Sequence, residues 1–294
     1  MREFDEATIT DAVLERVANT PDQRARRVSE VLVKHLHAFI REVEPTEAEW
    51  EWGIRFLTET GRLCSNTRQE FILLSDTLGV SMLVDAINHR LPSGATETTV
   101  FGPFYAAPPE FDSGEDIRGH LEGRPMYVAG RVTDADGRPL AGAVVDVWHS
   151  DDRGFYDLQK VGDTPRYAGR GRFRTGADGR FHFWTIRPSA YPIPDDGPVG
   201  KMLRAQNRHP FRPEHIHFMV VAPSYRKLVT HIFAAGDQYL DSDVVFGVKK
   251  SLVEEYRAHR GGKAPDGRAM NGDWFSLERE FRLALLGRDG EPLA

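Results

Sequence analysis

The spacing of hydrophobic positions changes once along the chain. Up to about residue 98, apolar side chains recur every three or four residues, for example at Val28, Val31, Leu32 and Leu36. This spacing is typical of amphipathic helices. From residue 99 onwards, apolar residues fall in short runs separated by glycine-containing turns, which indicates β-strands. We therefore predict a helical N-terminal domain over residues 1–98 and a β-rich domain over residues 99–294.

Three helix starts and one bend are predicted in the N-terminal domain. Helices should begin near Ile9, after Asp22 and after Thr46, where polar or proline-containing positions precede an apolar repeat. A fourth helical pattern should bend at Gly79. Together these helices carry much apolar surface for so few residues. We expect part of it to pack within the chain and part to face a second subunit.

The C-terminal domain contains several predicted strands. They cover residues 126–132, 143–148, 171–175, 180–186, 215–221 and 227–233, with a last strand from Leu277 to Leu285. Residues 171–186 are interpreted as a β-hairpin around a turn at Gly176–Gly179, and residues 245–256 as a helical insertion. The predicted fold class is mainly β: a β-sandwich core with an N-terminal α-helical dimerisation region.

Composition narrows the class of protein. The 294 residues are 40% hydrophobic with a formal net charge of -6, which argues against a dedicated nucleic-acid binder. The single cysteine, Cys64, excludes an internal disulfide and a paired-cysteine zinc site. The N-terminus shows no secretory signal pattern, and no apolar run approaches the ~18 residues of a membrane helix. A cytoplasmic protein without membrane insertion is the expectation.

The pair His215 and His217 is the first candidate for chemistry. It lies in an apolar, β-prone run, and residues two apart on a strand point to the same face. Two imidazoles on one face can bind one metal ion. A His-x-His pair alone is weak, since most such pairs are ordinary core or surface histidines, so further ligands are needed.

Two tyrosines in predicted strand-exit loops are the best additional donors. Tyr156 follows Gly154, which lets the chain turn back, and Tyr191 lies in a proline-rich loop. Phenolate forms near neutral pH only on a strongly Lewis-acidic metal, so two tyrosines with two histidines favour iron(III) over zinc. The remaining tyrosines that are kept as reserve donors are Tyr105, Tyr127, Tyr167, Tyr225 and Tyr239.

Several motifs resemble those of the intradiol ring-cleavage dioxygenases. These are Val147-Trp-His-Ser150, Gly154-Phe-Tyr156, Tyr191 and Arg212-Pro-Glu-His-Ile-His217. The helical segment Leu73–Gly79 resembles the catechol 1,2-dioxygenase branch. Residues 75–89, 95–104, 191–203 and 230–233 are most similar to members of the family that cleave hydroxyquinol. Glu214 departs from the small residue expected there, and it either perturbs His215 or points away into solvent.

The resemblance implies a reaction, a cofactor and an assembly. Hydroxyquinol (benzene-1,2,4-triol) would be cleaved with O2 to 3-hydroxy-cis,cis-muconate, the tautomer of maleylacetate. One non-haem Fe(III) per subunit would be bound by Tyr156, Tyr191, His215 and His217. The chain would form a homodimer through its helices, with a phospholipid held between them. Cleavage of catechol or chlorocatechol is the alternative reaction.

The same resemblance assigns roles to further residues. Arg212, Tyr191 and His231 would be catalytic, although Arg212 could instead form a structural salt bridge and His231 could be a packed core residue. Asp76 would accept a hydrogen bond from the third substrate hydroxyl, unless it only binds a nearby backbone amide. The predicted substrate-lining residues are Leu73, Asp76, Val100, Phe101, Gly102, Ile193, Pro194 and Val245.

A function of another class stays open at this stage. The glycine and valine pattern from Val128 to Val145 also occurs in non-catalytic sandwich modules that resemble transthyretin. The fold therefore does not define the function. A binding module of that kind would hold no iron and would be colourless.

Overall fold

The computed structural model describes residues 4–65, 68–92, 94–160 and 167–286. The chain forms two compact units, Met1–Glu59 and Thr60–Ala294. The functional boundary at residue 98 stays a prediction, because compactness alone does not define a functional domain.

The first unit is helical, as expected. It contains α1 (Ile9–Val17), α2 (Gln23–Val43) and most of α3 (Glu47–Arg62). The predicted start of α3 is confirmed by a capping box: Thr46 N donates to Glu49 Oε2 at 2.8 Å and Glu49 N donates to Thr46 Oγ1 at 3.3 Å. None of the 21 residues of α2, all of them described, is buried. Its large exposed apolar side chains are Val28, Leu32, Leu36, Phe39, Ile40 and Val43.

The second unit begins with two short helices at the predicted bend. These are α4 (Glu70–Thr77) and α5 (Val80–Asn88), and Gly79 between them has a φ of +72°. A left-handed φ is strained for other residues, so glycine allows the chain to turn here. A further helix, α6 (Pro198–Ala205), was not predicted. In the described ranges no helix is long and apolar enough to span a membrane.

Two sheets build the sandwich, which confirms the predicted fold class. One sheet has the strand order β3-β2-β7-β8-β9 and the other β10-β11-β1-β4, while β5 and β6 pair separately. The strands are β1 (Pro125–Asp134), β2 (Val144–His149), β3 (Arg170–Arg174), β4 (Arg180–Ile186), β5 (Tyr191–Pro192), β6 (Phe211–Arg212), β7 (His215–Val221), β8 (Leu228–Ala234), β9 (Val253–Glu254), β10 (Arg257–Lys263) and β11 (Ala269–Leu283).

The predicted hairpin over residues 171–186 is wrong. The turn exists, since Gly176 N donates to Arg180 O at 2.9 Å and Gly179 has a φ of +75°. However, β3 pairs with β2 and β4 pairs with β1, so the turn connects the two sheets. The two strands face each other through side chains: the rings of Phe173 and Phe183 stack in the core at 4.9 Å.

The predicted helix over residues 245–256 is also wrong. The segment contains a 3-10 turn (Lys250–Leu252) and then the short strand β9. The side chain of Asp243 accepts hydrogen bonds from the backbone of Val245 and Gly247 at 3.4 and 2.9 Å, and Phe246 has a φ of +58°. A left-handed residue inside a side-chain-stabilised turn is incompatible with a helix.

One buried histidine connects the two sheets. His149 ends β2, and its Nε2 lies 2.6 Å from the hydroxyl of Thr185 on β4, while its Nδ1 donates to the carbonyl of Ser150 at 2.7 Å. Burial lowers the pKa of His149 to about 4 from the ordinary 6.5. In the unfolded chain this side chain binds a proton more readily, so stability falls as the pH drops from about 6.5 to 4.

The first prediction concerns His149→Gln in the metal-free protein. Lowering the pH from 7 to 5 should reduce the unfolding free energy of wild type by about 2 kcal/mol more than that of the variant. The reason is that His149 stays neutral in the folded protein but binds a proton in the unfolded chain. Urea denaturation at the two pH values measures this difference. Equal losses in both proteins would show that His149 does not contribute to the acid sensitivity.

Candidate metal centre

Both predicted histidines lie on one buried face of β7. His215 and His217 are each 1% exposed, while Ile216 between them points into the core. Their Nε2 atoms are 3.2 Å apart. His215 Nδ1 donates to the carbonyl of Pro213 at 2.6 Å, so its Nε2 is the nitrogen that carries the lone pair, and Arg212 Nη1 lies 3.3 Å from it. The pleat of the strand therefore places two nitrogen donors together.

Tyr156 reaches the same point from the loop after β2. Gly154 turns this loop with a φ of +86°, and Tyr156 is fully buried with its ring stacked on Phe104 at 4.5 Å. Its hydroxyl lies 2.8 Å from His217 Nε2. The side-chain oxygen of Gln159 accepts a hydrogen bond from Tyr156 N at 2.7 Å, which fixes the backbone of the tyrosine.

Tyr191 approaches from the opposite loop. It lies in β5, which pairs with β6 at Arg212, and it is 4% exposed. Its hydroxyl is 3.2 Å from that of Tyr156, and the two rings meet at 84°. The structure thus brings the four predicted ligand residues into one cluster.

The spacing of the four donor atoms suits a metal ion. Successive donors, from Tyr191 Oη through Tyr156 Oη and His217 Nε2 to His215 Nε2, are 3.2, 2.8 and 3.2 Å apart. Donors about 2.0–2.1 Å from a first-row metal ion lie about 2.8–3.4 Å from their neighbours. The donor set therefore fits such an ion.

The protonation states of these side chains also suit metal binding. Burial lowers the pKa of His215 and His217 well below the ordinary value, so both imidazoles are neutral with available lone pairs. Burial, assisted by Tyr191, raises the pKa of the Tyr156 phenol well above its ordinary value. The phenol of Tyr156 therefore needs a Lewis acid to ionise, and metal binding would release its proton.

A second possible donor set shares two of these residues. The ring nitrogens of His215, His217 and His231 include a set that lies within 4.8 Å. Arg212 lies beside both sets, with Nη2 3.4 Å from His231 Nδ1 and Nη1 3.3 Å from His215 Nε2, so its charge does not distinguish them. The set that includes Tyr156 and Tyr191 offers four donors, whereas the histidine set offers three.

Arg212 lies beside His215 and forms a salt bridge with Asp243. Its guanidinium is 3% exposed and binds Asp243 at 3.1 and 3.2 Å, with Nη1 3.3 Å from His215 Nε2. Burial alone would lower the pKa of Arg212, but Asp243 and the two phenols outweigh it, and the pKa lies above the ordinary value. The structural salt bridge of Arg212 is therefore confirmed, and its catalytic role stays a prediction, since it also lies beside His215.

Four predicted substrate-lining residues come together. Leu73, Val100, Ile193 and Val245 belong to one buried apolar cluster. Pro194 follows Ile193 and is partly buried. This cluster forms an apolar surface, as an aromatic substrate requires.

The other predicted substrate-lining residues lie outside this cluster. A Cβ on Gly102 would lie 3.3 Å from His217 Cε1, so a side chain at this position would crowd the His217 ring. Phe101 is 41% exposed and its ring lies 5.8 Å from that of Trp148. Asp76 is 5% exposed. Burial raises the pKa of Asp76 and outweighs the hydrogen bond from Ser81 and the positive charge of Arg212, which both lower it. Asp76 thus binds Ser81 on α5.

The prediction that Glu214 points into solvent is wrong, whereas its predicted effect on His215 stays a prediction. The Glu214 side chain is 7% exposed, and its carboxylate binds Arg187 at 2.6 and 2.8 Å.

The reserve tyrosines have other contacts: Tyr105 donates to Asp146 at 2.8 Å, for example, and Tyr239 stacks on Phe211 at 4.8 Å.

Two residues at the centre were missed by the sequence analysis. Asp243 holds Arg212, but nothing in its local sequence distinguishes it from neighbouring acidic residues. Trp148 stacks on the His217 ring at 4.6 Å and 18°. Trp148 belongs to the motif Val147–Ser150, so the signal was present although its role was not deduced.

Comparisons with known proteins agree with this geometry. Residues 100–279 match the family profile described as "Dioxygenase", and residues 22–96 match "Catechol dioxygenase N terminus". The chain is 54% identical over 257 residues to 6-chlorohydroxyquinol 1,2-dioxygenase of Cupriavidus pinatubonensis, covering 87% of this chain and 93% of that protein. It is 49% identical to hydroxyquinol 1,2-dioxygenase of Rhizobium sp., covering 96% of each.

A solved structure shares the whole fold. Hydroxyquinol 1,2-dioxygenase from Pseudomonas putida DLL-E4 superposes with a TM-score of 0.89 at 51% identity, covering 95% of this chain and 98% of the other. The fold and the buried histidine site together indicate a dioxygenase of a family that depends on non-haem iron. The chain belongs to the intradiol ring-cleavage dioxygenase family, and the non-catalytic alternative is set aside.

The second prediction tests the packing under Tyr191. A Cβ on Gly154 would lie 2.6 Å from Tyr191 Cβ, whereas a Cβ on Gly137, which has a similar φ of +81°, would meet nothing within 4 Å. Gly137→Ala should cost about 1–2 kcal/mol of unfolding free energy from backbone strain alone. Gly154→Ala should cost about 1–3 kcal/mol more because it overpacks the site. Equal costs in urea denaturation would contradict the close approach of the two loops.

Proposed function

We propose that this protein cleaves hydroxyquinol with O2 between its two adjacent hydroxylated carbons, giving 3-hydroxy-cis,cis-muconate, the tautomer of maleylacetate. The convergence of Tyr156, Tyr191, His215 and His217 carries the proposal. Relatives whose names refer to hydroxyquinol match most of the chain at 44–54% identity, which supports this substrate over catechol.

The metal in this proposal is one ferric ion per subunit. Two phenols beside two neutral imidazoles form a donor set that suits a trivalent, strongly Lewis-acidic ion. When bound, the ferric ion would withdraw electron density from the substrate diol and so activate its ring towards O2.

The two tyrosines have different roles in this account. Tyr156 is locked by full burial and by stacking on Phe104. Tyr191 lies in a two-residue strand within a proline-rich loop. We assign Tyr191 as the residue whose phenolate oxygen would take up a substrate proton. A proton acceptor among the ligands removes the need for a separate general base.

Arg212 would stabilise negative charge on the reacting groups. Its guanidinium is held by Asp243 and lies 3.3 Å from His215 Nε2, so little movement is needed to reach a group bound at the ligands. A preorganised cation in a buried site contributes several kcal/mol to such stabilisation. His231, opposite His217 on β8, would orient the O2-derived group or water.

Asp76 would recognise the third hydroxyl of the substrate. It is buried, it belongs to the helix that also contributes Leu73, and its pKa is affected by Arg212 and Asp243, so it lies near both. A buried acceptor left without its partner discriminates strongly against an analogue that lacks the hydroxyl.

The exposed apolar face of α2 supports a homodimer as the functional assembly. Burial of Leu32, Leu36 and Phe39, each more than half exposed, would be favourable. A phospholipid at the same interface is part of the proposal, because acyl chains would cover apolar surface that two protein helices leave open.

The third prediction concerns the colour of the iron-loaded protein and its reduction in Tyr156→Phe. Iron-loaded wild type should be red-brown from tyrosinate-to-iron charge transfer, and removal of one phenolate should reduce this absorbance and weaken iron binding at least tenfold. Visible spectroscopy and iron analysis measure both effects.

Tyr105→Phe is the matched control, because it deletes a phenol hydroxyl that binds Asp146 and not a ligand. It should keep the colour. A colourless iron-loaded wild type, or equal colour in the two variants, would refute the assigned donors.

The fourth prediction concerns substrate selectivity in Asp76→Ala. Loss of the carboxylate should lower kcat/KM for hydroxyquinol at least tenfold more than kcat/KM for catechol. Asp76→Asn keeps one acceptor oxygen and should fall between wild type and Ala. An unchanged ratio of the two kcat/KM values in Asp76→Ala would rule out recognition of the third hydroxyl by this residue.

A further inference from the structure

A buried ion pair lies behind the candidate metal centre. Glu214 is 7% exposed, and the side chain of its partner Arg187 is 23% exposed. The two side chains form a two-pronged contact, with Arg187 Nε donating to Oε1 at 2.6 Å and Arg187 Nη2 donating to Oε2 at 2.8 Å. Paired contacts of this kind fix both the distance and the angle between two groups.

The two ends of the pair belong to the two segments that carry metal ligands. Arg187 directly follows β4 and begins the loop that reaches Tyr191 four residues later. Glu214 directly precedes His215 at the start of β7. Glu214 lies in the bend before β7, and its carboxylate contacts Arg187. The ion pair therefore connects the tyrosine segment to the histidine segment.

Both ends are also fixed to their own surroundings. The guanidinium of Arg187 lies over the Phe275 ring at 4.5 Å, and Arg187 N donates to the carbonyl of Arg124 at 2.9 Å. Glu214 N donates to Asp237 Oδ2 at 3.0 Å, and the carbonyl of Glu214 accepts from Ala234 N at 2.9 Å. The Arg187 guanidinium thus packs on β11, and the backbone of Glu214 is bonded to β8.

We propose that the Glu214–Arg187 pair is a positioning element that sets the distance of Tyr191 from His215 and His217. This inference rests on the proposed ferric centre. Burial of an ion pair contributes little net stability compared with apolar packing, because desolvation offsets the attraction. Its contribution here is geometric: it keeps the tyrosine loop in register with the histidine strand.

Glu214→Gln tests this role, with Asp146→Asn as the control. The control pair, Asp146 with Arg172, has the same two-pronged contact at 2.6 and 2.8 Å and a buried carboxylate, but it connects β2 to β3. Each substitution replaces a carboxylate by an amide of the same shape. Proteins are loaded with ferric iron, and both the visible charge-transfer band and the rate of iron release to a chelator are measured.

The positioning role predicts a shifted charge-transfer band and about tenfold faster iron release in Glu214→Gln. Asp146→Asn should match wild type in both readouts, even if its unfolding free energy falls as much. The double variant Glu214→Gln/Arg187→Gln leaves no unpaired buried charge and should release iron as fast as Glu214→Gln alone. If Glu214→Gln alone does not fold, the charge-transfer band and the rate of iron release are measured on this double variant instead.

Wild-type band position and release rate in both Glu214 variants would overturn the inference. Equal acceleration in Asp146→Asn would also overturn it, because the effect would then follow general destabilisation. A wild-type protein that takes up no ferric iron is a different outcome, since it would refute the proposed function on which the inference rests.

Discussion

The alternation of side chains along β7 is the constraint on which the centre depends. It places His215 and His217 on one face at 3.2 Å and directs Ile216 into the core, so the ligand pair is held by the packing of the sandwich. The strand lies between β2 and β8 in the five-stranded sheet. A shift of one residue in its pairing would send both imidazoles to the opposite face.

Burial determines the chemistry that this rigid pair can perform. Neutral imidazoles and a phenol that resists ionisation surround one point, and this combination gains most from a strongly Lewis-acidic cation. Arg212 stays charged in the same environment because Asp243 is placed against it. The donors suit a metal, and the guanidinium beside them suits an anionic group bound to that metal.

The features that could be predicted from sequence depend on neighbouring residues or on short motifs. The bounds of β7 and the bend at Gly79 follow from periodicity and glycine position. The four proposed donor residues came from residue chemistry and the family resemblance, and the structure places them together. The hairpin failed because strand pairing is decided by the core: Phe173 and Phe183 stack between the sheets, and no short-range signal reports this. The partner of Glu214 could not be deduced because Arg187 is 27 residues away in sequence.

Anomalous X-ray diffraction at the iron absorption edge, on crystals of the iron-loaded protein, tests the central claim most directly. The account predicts one peak per subunit, within bonding distance of Tyr156 Oη, Tyr191 Oη, His215 Nε2 and His217 Nε2. A peak among His215, His217 and His231 with both phenols outside bonding distance would contradict it, as would iron bound elsewhere on the chain.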